Sequence, residues 1–306
     1  MSVLRNVLLN ASDSAFLREQ VTTRSLSRRL AMRFVAGETI DDGFAVARRL
    51  AAEGKTITLD YLGESVSNEA DARAAAKTIV EMVDRIGREG LPAGVSVKPT
   101  QFGLHIAPGL ARELVGDIAI ATERIGQHLT LDMEGHEVTE DTIALVEELI
   151  ADGHTHVGCA VQSYLRRTRD DVERLSNIEA SLRLCKGAYD EPATIAYQER
   201  AEVDISYAES AVYLLEHGYY PRIATHDDKL IEFVKRTARR LGRTADDFEF
   251  QMLYGVRPSL QDQLVREGYR MCVYVPFGDQ WYPYFMRRLA ERPANLAFFL
   301  RALRDT

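Results

Sequence analysis

Two textures alternate along this chain. Short apolar or β-branched runs occupy 56–61 (TITLDY), 94–98 (GVSVK), 129–133 (LTLDM), 157–161 (VGCAV), 181–185 (SLRLC), 222–225 (RIAT), 248–252 (FEFQM) and 271–275 (MCVYV). Each has the length and residue types of a β-strand. Between them lie longer stretches whose apolar residues step by three and four, the period of a helix with one buried face. In 69–88 the repeat falls on Ala74, Ala75, Ile79, Met82, Val83 and Ile86. Residues 139–151 open on Thr139 as a capping residue, carry Glu140 and Asp141 in the first turn, and stop before Asp152 and Gly153. Residues 228–241 and 259–267 follow the same pattern.

Strand then helix, eight times over, predicts an α/β fold of the (β/α)8 TIM-barrel type. A doubly wound sheet is the competitor, but it usually places a glycine-rich turn after an early strand. The chain contains neither GxGxxG nor GxxxxGK[ST]. Residues 1–52 precede the first strand and hold two helix-like pieces, 13–34 and 43–52. They predict an N-terminal helical arm packed on a barrel formed by 53–306, with 1–306 as one domain.

Charge narrows the function classes. With 38 Lys and Arg against 46 Asp and Glu, the formal charge is −8, which argues against a general nucleic-acid binder. A local cationic pocket for a small anion stays open. Cys159, Cys185 and Cys272 are odd in number and widely spaced, as expected of reduced thiols rather than a disulfide framework or a CxxC metal site. No run approaches the roughly 18 apolar residues of a membrane span. The first 20 residues carry Arg5, Asp13, Arg18 and Glu19, unlike a signal peptide. The expectation is a soluble, cytoplasmic protein.

A barrel carries its chemistry where the strands end, and here polar residues crowd those ends. They include Asp60 and Glu64, Lys98, Thr100 and Gln101, Asp132 and Glu134, Gln162 and Tyr164, Arg183, Lys186 and Tyr189, Thr225 to Asp227, Gln251, and Tyr274. Any one of them alone reads as a solvated loop residue or an ion pair filling a layer; all eight strands together read as a site. Beyond the last strand, Tyr284, Arg287, Arg288 and Glu291 share one helical face. Adjacent guanidiniums beside a tyrosine suit a carboxylate ligand, although such pairs are also common on surface helices. Lys98 and Lys186 read equally as Schiff-base nucleophiles, fixed cations or ion-pair partners of Asp132 or Glu64. His154 and His156 precede the fourth strand without a third ligand nearby, so no metal site is expected there.

Together these segments resemble the proline dehydrogenase family of flavoprotein barrels. LDYLGE, VSVKPTQFGL, LDMEG, VQSYLRR, RLCKGAY, ATHD, FEFQMLYG, VYVPFGDQW and YFMRRLAERPAN occur in the family's order between residues 59 and 295. The resemblance implies a monofunctional bacterial form that oxidises L-proline to Δ1-pyrroline-5-carboxylate with FAD. Electrons would pass to a quinone, with transient peripheral contact at the inner face of the plasma membrane. It implies that Arg287 and Arg288 hold the proline carboxylate, Lys98 assists them, and Glu64 pairs with one arginine and gates the site. Asp132 would pair with the lysine, while Tyr274, Tyr284, Leu184, Tyr189 and Leu253 wall the ring. Gln162, Arg183, Lys186, Gly187, Ala188, Thr225, His226 and Glu291 would contact FAD, with Arg183 near N5.

Two positions depart from the larger bifunctional members. Asp190 stands where they carry Trp, and ERPAN replaces ENGAN, so Pro293 should end the last helix near Arg292. The 296–303 stretch is amphipathic and reads first as a helix packed on the barrel. Two other functions compete: a Schiff-base lyase or aldolase using Lys98 or Lys186, and a barrel that binds ligand without catalysis.

Overall fold

Eight parallel strands close on themselves in chain order, β1 through β8, each neighbour hydrogen-bonded to the next. The structure is a computed structural model that describes residue 28 and residues 31–63 and 66–291, with the backbone alone described for Pro108, Leu289, Ala290 and Glu291. The strands are β1 Thr56–Tyr61, β2 Ala93–Val97, β3 Leu129–Leu131, β4 Val157–Gln162, β5 Ser181–Cys185, β6 Arg222–Ala224, β7 Glu249–Leu253 and β8 Arg270–Phe277. Helix α1 (Ile40–Ala52) precedes β1. The crossover helices are α2 Glu69–Glu89, α3 Pro108–Arg124, α4 Thr139–Ala151, α5 Thr168–Ser176, α6 Arg200–His217, α7 Asp228–Arg240 and α8 Pro258–Arg266, and α9 Trp281–Glu291 follows β8. The expected TIM-type architecture is therefore present. Its closing seam is also its longest: six residues of β1 pair with β8, from Thr56 opposite Cys272 to Tyr61 opposite Phe277.

Alternation along each strand sorts the side chains. Ile57, Leu59, Val95, Val97, Leu129, Leu131, Phe250, Val273 and Val275 join the main apolar core, together with the inner faces of the helices. The other row points into the barrel. Instead of layered Val, Ile and Leu, that row is largely polar: Thr58, Asp60, Ser96, Thr130, Arg183, Arg222, Glu249 and Gln251 are all buried. The mixed apolar and polar strand pattern thus has a structural cause, with one face for helices and the other for a buried charge network.

Local signals set the helix ends. In α2, the Asn68 side chain accepts from the Asp71 N–H, and Gly90 closes the helix in the left-handed region at φ 62°. In α1, Thr39 and Asp42 form a reciprocal capping box. Thr139 does not cap α4. A 3-10 turn, His136–Val138, enters the helix first, and the Thr139 hydroxyl donates back to the Gly135 carbonyl.

A second apolar cluster lies at the mouth of the barrel. Ala31 and Val35 pack there with Leu62 of the β1 exit and with Trp281, Tyr282, Tyr284, Phe285 and Met286 of α9. The Trp281 indole donates to Glu38 at 3.0 Å, and the Ala36 N–H donates to Pro276 at the end of β8. The chain just ahead of α1 therefore braces the last helix. Of the expected 13–34 helix, only residues 28 and 31–34 lie among the described residues, as does none of the 296–303 stretch. Helix α9 runs to the last described residue, Glu291, so the stop expected near Arg292 also falls outside them.

Candidate active site

The barrel gathers six of the strand-end residues, Asp60, Lys98, Asp132, Arg183, Gln251 and Tyr274, into one buried cluster. Lys98, just past β2, places its Nζ 3.0 Å from Asp60 Oδ1 and 3.2 Å from Asp132 Oδ2. Arg183 on β5 donates through Nη1 to Asp132 Oδ1 at 2.7 Å and to Ser96 at 3.1 Å, and through Nε to Gln251 Oε1 at 2.7 Å. The Gln251 amide then donates to Glu249 at 2.5 Å. With its oxygen taken by arginine and its nitrogen by glutamate, the amide has one orientation. Tyr274 on β8 reaches both carboxylates, 2.6 Å from Asp60 and 2.7 Å from Asp132. The Arg183 guanidinium lies 5.2 Å from the Tyr274 ring centroid.

Burial makes these charges interdependent, because an unpaired ion here would cost several kcal/mol. The two carboxylates respond in opposite directions. For Asp60, desolvation dominates and pushes its carboxyl above the usual range. For Asp132, desolvation pulls the same way, but the Lys98 and Arg183 cations overcome it and hold the carboxyl low. Burial beside both carboxylates pushes the Tyr274 phenol well above its ordinary value, so it stays protonated.

Helix α9 brings the arginine pair to the mouth. Arg287 sits 5.9 Å from the Tyr189 ring in the loop after β5, and Arg288 sits 5.1 Å from the Tyr284 ring one turn earlier. Burial pushes the nearby Cys185 thiol up to about 11, and Arg183, Asp132 and Arg288 all act on it. The end of β5 therefore lies near both the interior cluster and Arg288 of α9. Leu253 and Tyr274 are half-buried at the same mouth.

Other expected residues stand around this centre. Lys186 is ion-paired with Asp204 and, at 3.6 Å, with Asp227. The Gln162 amide donates to the Glu134 carbonyl at 2.9 Å. His226 Nε2 accepts from the Leu253 N–H at 3.0 Å, which fixes the tautomer with the proton on Nδ1. The Thr225 hydroxyl accepts from the Asp227 N–H. At Gly187 φ is 108°, and an added Cβ would come 2.2 Å from the Tyr164 ring, so only glycine lets the chain turn there. Ala188 follows in the same loop.

Leu184 is not brought to the cluster. It is fully buried in the main apolar core, and alternation turns it away from the face that Arg183 occupies. Glu64 lies outside the described residues, as does the side chain of Glu291. His154 pairs with Glu123, and His156 bonds Thr122 and the Ala119 carbonyl. Among the described residues, the potential metal-ligand group is instead His136, Glu137 and Glu191, with both His136 and Glu137 exposed. Sequence reasoning placed Asp60 and Gln251 at strand ends without a role, and it missed Ser96. Their only signal is a polar residue recurring every second position in an apolar strand.

The proline dehydrogenase family model matches residues 44–301. Proline dehydrogenase 2 of Bacillus subtilis is 37% identical over 301 residues, covering 98% of this chain and 99% of the relative. Proline dehydrogenase of Deinococcus radiodurans is 38% identical over 278 residues, 90% of each chain. Among solved structures, proline utilization A of Bdellovibrio bacteriovorus, inactivated by N-propargylglycine, superposes with a TM-score of 0.81 at 26% identity over 87% of this chain. This chain spans 33% of that larger protein.

Proposed function

The chain belongs to the proline dehydrogenase family, and from that premise we propose that it oxidises L-proline to Δ1-pyrroline-5-carboxylate with FAD and passes the electrons to a quinone. The observation that carries this reading is the pairing of two cationic groups at one barrel mouth: Arg287 and Arg288 on α9, and Lys98 with Arg183 below them. Proline is a small zwitterion whose strongest handle is its carboxylate. Guanidiniums grip that group through paired charge-assisted hydrogen bonds, and Lys98 adds a point charge. Tyr189, Tyr274, Tyr284 and Leu253 supply an aromatic and aliphatic wall for the ring. Glu64 is assigned the gate, in keeping with the family pattern.

The residues fit a flavin. Arg183 Nη2 is buried with no hydrogen-bond partner among the described residues, a donor suited to a ligand acceptor in the barrel mouth. Gln162, Lys186, Thr225 and His226 add polar contacts, and the Gly187–Ala188 backbone allows close approach; Glu291 is assigned by family pattern. When bound, FAD accepts the two electrons removed from the substrate. The chain's own work is to orient C5 of the ring, exclude water from the buried floor, and keep a positive guanidinium near the acceptor, a lever on flavin potential. Both lysines are ion-paired, which disfavours the free amine that a Schiff-base lyase requires.

No helix among the described residues is long and apolar enough to cross a membrane. Delivery to a membrane quinone would then be by transient peripheral contact. The test is optical. Purified protein should carry flavin absorption that bleaches when L-proline is added without oxygen. Colourless protein that takes up no FAD would overturn the reading, and a flavoprotein indifferent to proline would favour a barrel that only binds ligand.

A further inference from the structure

The interior cluster holds more short oxygen contacts than its obvious protons can supply. Ser96 and Arg183 fill Asp132 Oδ1, at 2.6 and 2.7 Å. Lys98 donates to Asp60 Oδ1 at 3.0 Å and to Asp132 Oδ2 at 3.2 Å, and it lies 3.2 Å from Asp60 Oδ2. The Tyr274 oxygen is 2.6 Å from Asp60 Oδ2 and 2.7 Å from Asp132 Oδ2. Both lengths are those of O–H···O bonds. A phenol brings one hydrogen, and ionised carboxylates only accept. With both carboxylates ionised, one of these contacts would set lone pair against lone pair.

We propose that Asp60 supplies the missing proton: its Oδ2–H donates to the Tyr274 oxygen, and Asp60 is thereby the positioning residue that aims the phenol hydrogen at Asp132. The choice between the carboxylates follows from their surroundings. Asp132 faces two cations, Lys98 from the end of β2 and Arg183 from β5, as well as the Ser96 hydroxyl. Asp60 on β1 faces Lys98, Tyr274 from β8 and the neighbouring Asp132 charge, and it is only 1% exposed. Its carboxyl is accordingly the one pushed up, while that of Asp132 is held down. The shorter Lys98 contact also falls on Oδ1, the oxygen left as the carbonyl acceptor.

This assignment has an electrostatic consequence. Lys98 and Arg183 are positive and Asp132 is negative, so a neutral Asp60 leaves these four groups with one net positive charge. That excess suits an anionic ligand group better than a balanced cluster would. The link to proline rests on the function proposed above; the proton assignment does not.

Infrared difference spectra of the holoenzyme provide the test. Wild type should show the carbonyl stretch of a protonated carboxylic acid. Asp60→Asn should remove that band, whereas Asp171→Asn, which alters a buried carboxyl on α5, should leave it in place. An identical band in wild type and Asp60→Asn overturns the proposal. Kinetics give a second readout. Asn keeps an N–H for the Tyr274 oxygen and Ala does not, so kcat/KM for proline should fall about ten-fold less in Asp60→Asn than in Asp60→Ala. Equal losses would mean that Asp60 acts as an anion and would overturn it. If the Asp60 variants do not fold, Tyr274→Phe removes the acceptor and should shift the wild-type band; an unmoved band overturns the assignment. A protein that shows the infrared pattern but does not oxidise proline would overturn the proposed function alone.

Discussion

A guanidinium over an aromatic ring keeps its full charge. Arg288 lies 5.1 Å from the Tyr284 ring centroid, and in the function proposed above it would meet the substrate rather than the flavin. Replacing Arg288 with Met should remove the proposed charge-assisted contact to the substrate carboxylate, about 1.5–3 kcal/mol. KM for proline should rise roughly ten- to a hundred-fold, while flavin content per chain stays near wild type. Flavin loss with unchanged KM would refute the assigned role. At this scale the sequence singled out Lys98, Asp132 and Arg183 because they interrupt apolar strands, and the structure brings these three together. The sequence did not reveal partners. That Asp60 and Tyr274 meet depends on the seam between the first and last strands, and Gln251 reaches Arg183 across the barrel interior. Leu184 shows the converse. Its neighbours in the motif belong to the cluster, but a period of two sends it to the other face.

Strands and helices were easier to read than their junctions. The eight strand-like runs all pair in the barrel, because β-branched density and turn residues are local signals. Their ends moved by a residue or more where the ladder decides. Strand β3 is only Leu129–Leu131, and β8 extends to Arg270–Phe277. Two glycines separate local from tertiary constraint. Gly90 ends α2 at φ 62° with nothing within 4 Å of an added Cβ. Gly90→Ala should therefore cost only the left-handed backbone penalty, about 1–2 kcal/mol, measured by urea unfolding. Gly158 on β4 is different: an added Cβ would lie 1.8 Å from the Ser181 carbonyl oxygen on β5. Gly158→Ala should abolish soluble folded protein, or at least destabilise it far more than Gly90→Ala. Similar stabilities for the two variants would contradict this close β4–β5 packing.

Across the whole molecule, barrel topology was legible because it is a count of alternating elements. The brace between residues 31–38 and α9 was not. Its contacts join distant segments, with Glu38 and Trp281 243 positions apart, and neither segment has a periodicity that names the other. The brace nevertheless governs where the arginine pair stands. Val35 is 1% exposed within that cluster. Val35→Asp would bury a carboxylate among aromatic rings at a cost of several kcal/mol. Its expected signature is weaker proline binding with far-UV circular dichroism unchanged, since the barrel core is a separate apolar cluster. Loss of all secondary structure would show that the two clusters form one cooperative unit.

The β1–β8 seam carries a consequence of its own. Asp60 and Tyr274 are 214 positions apart in the chain, and they come within reach only when the first strand zips to the last. A chain whose other seven ladders have formed still lacks the Asp60–Tyr274 contact until β1 and β8 pair. The contact is therefore a mark of ring closure, present only once the final ladder is made.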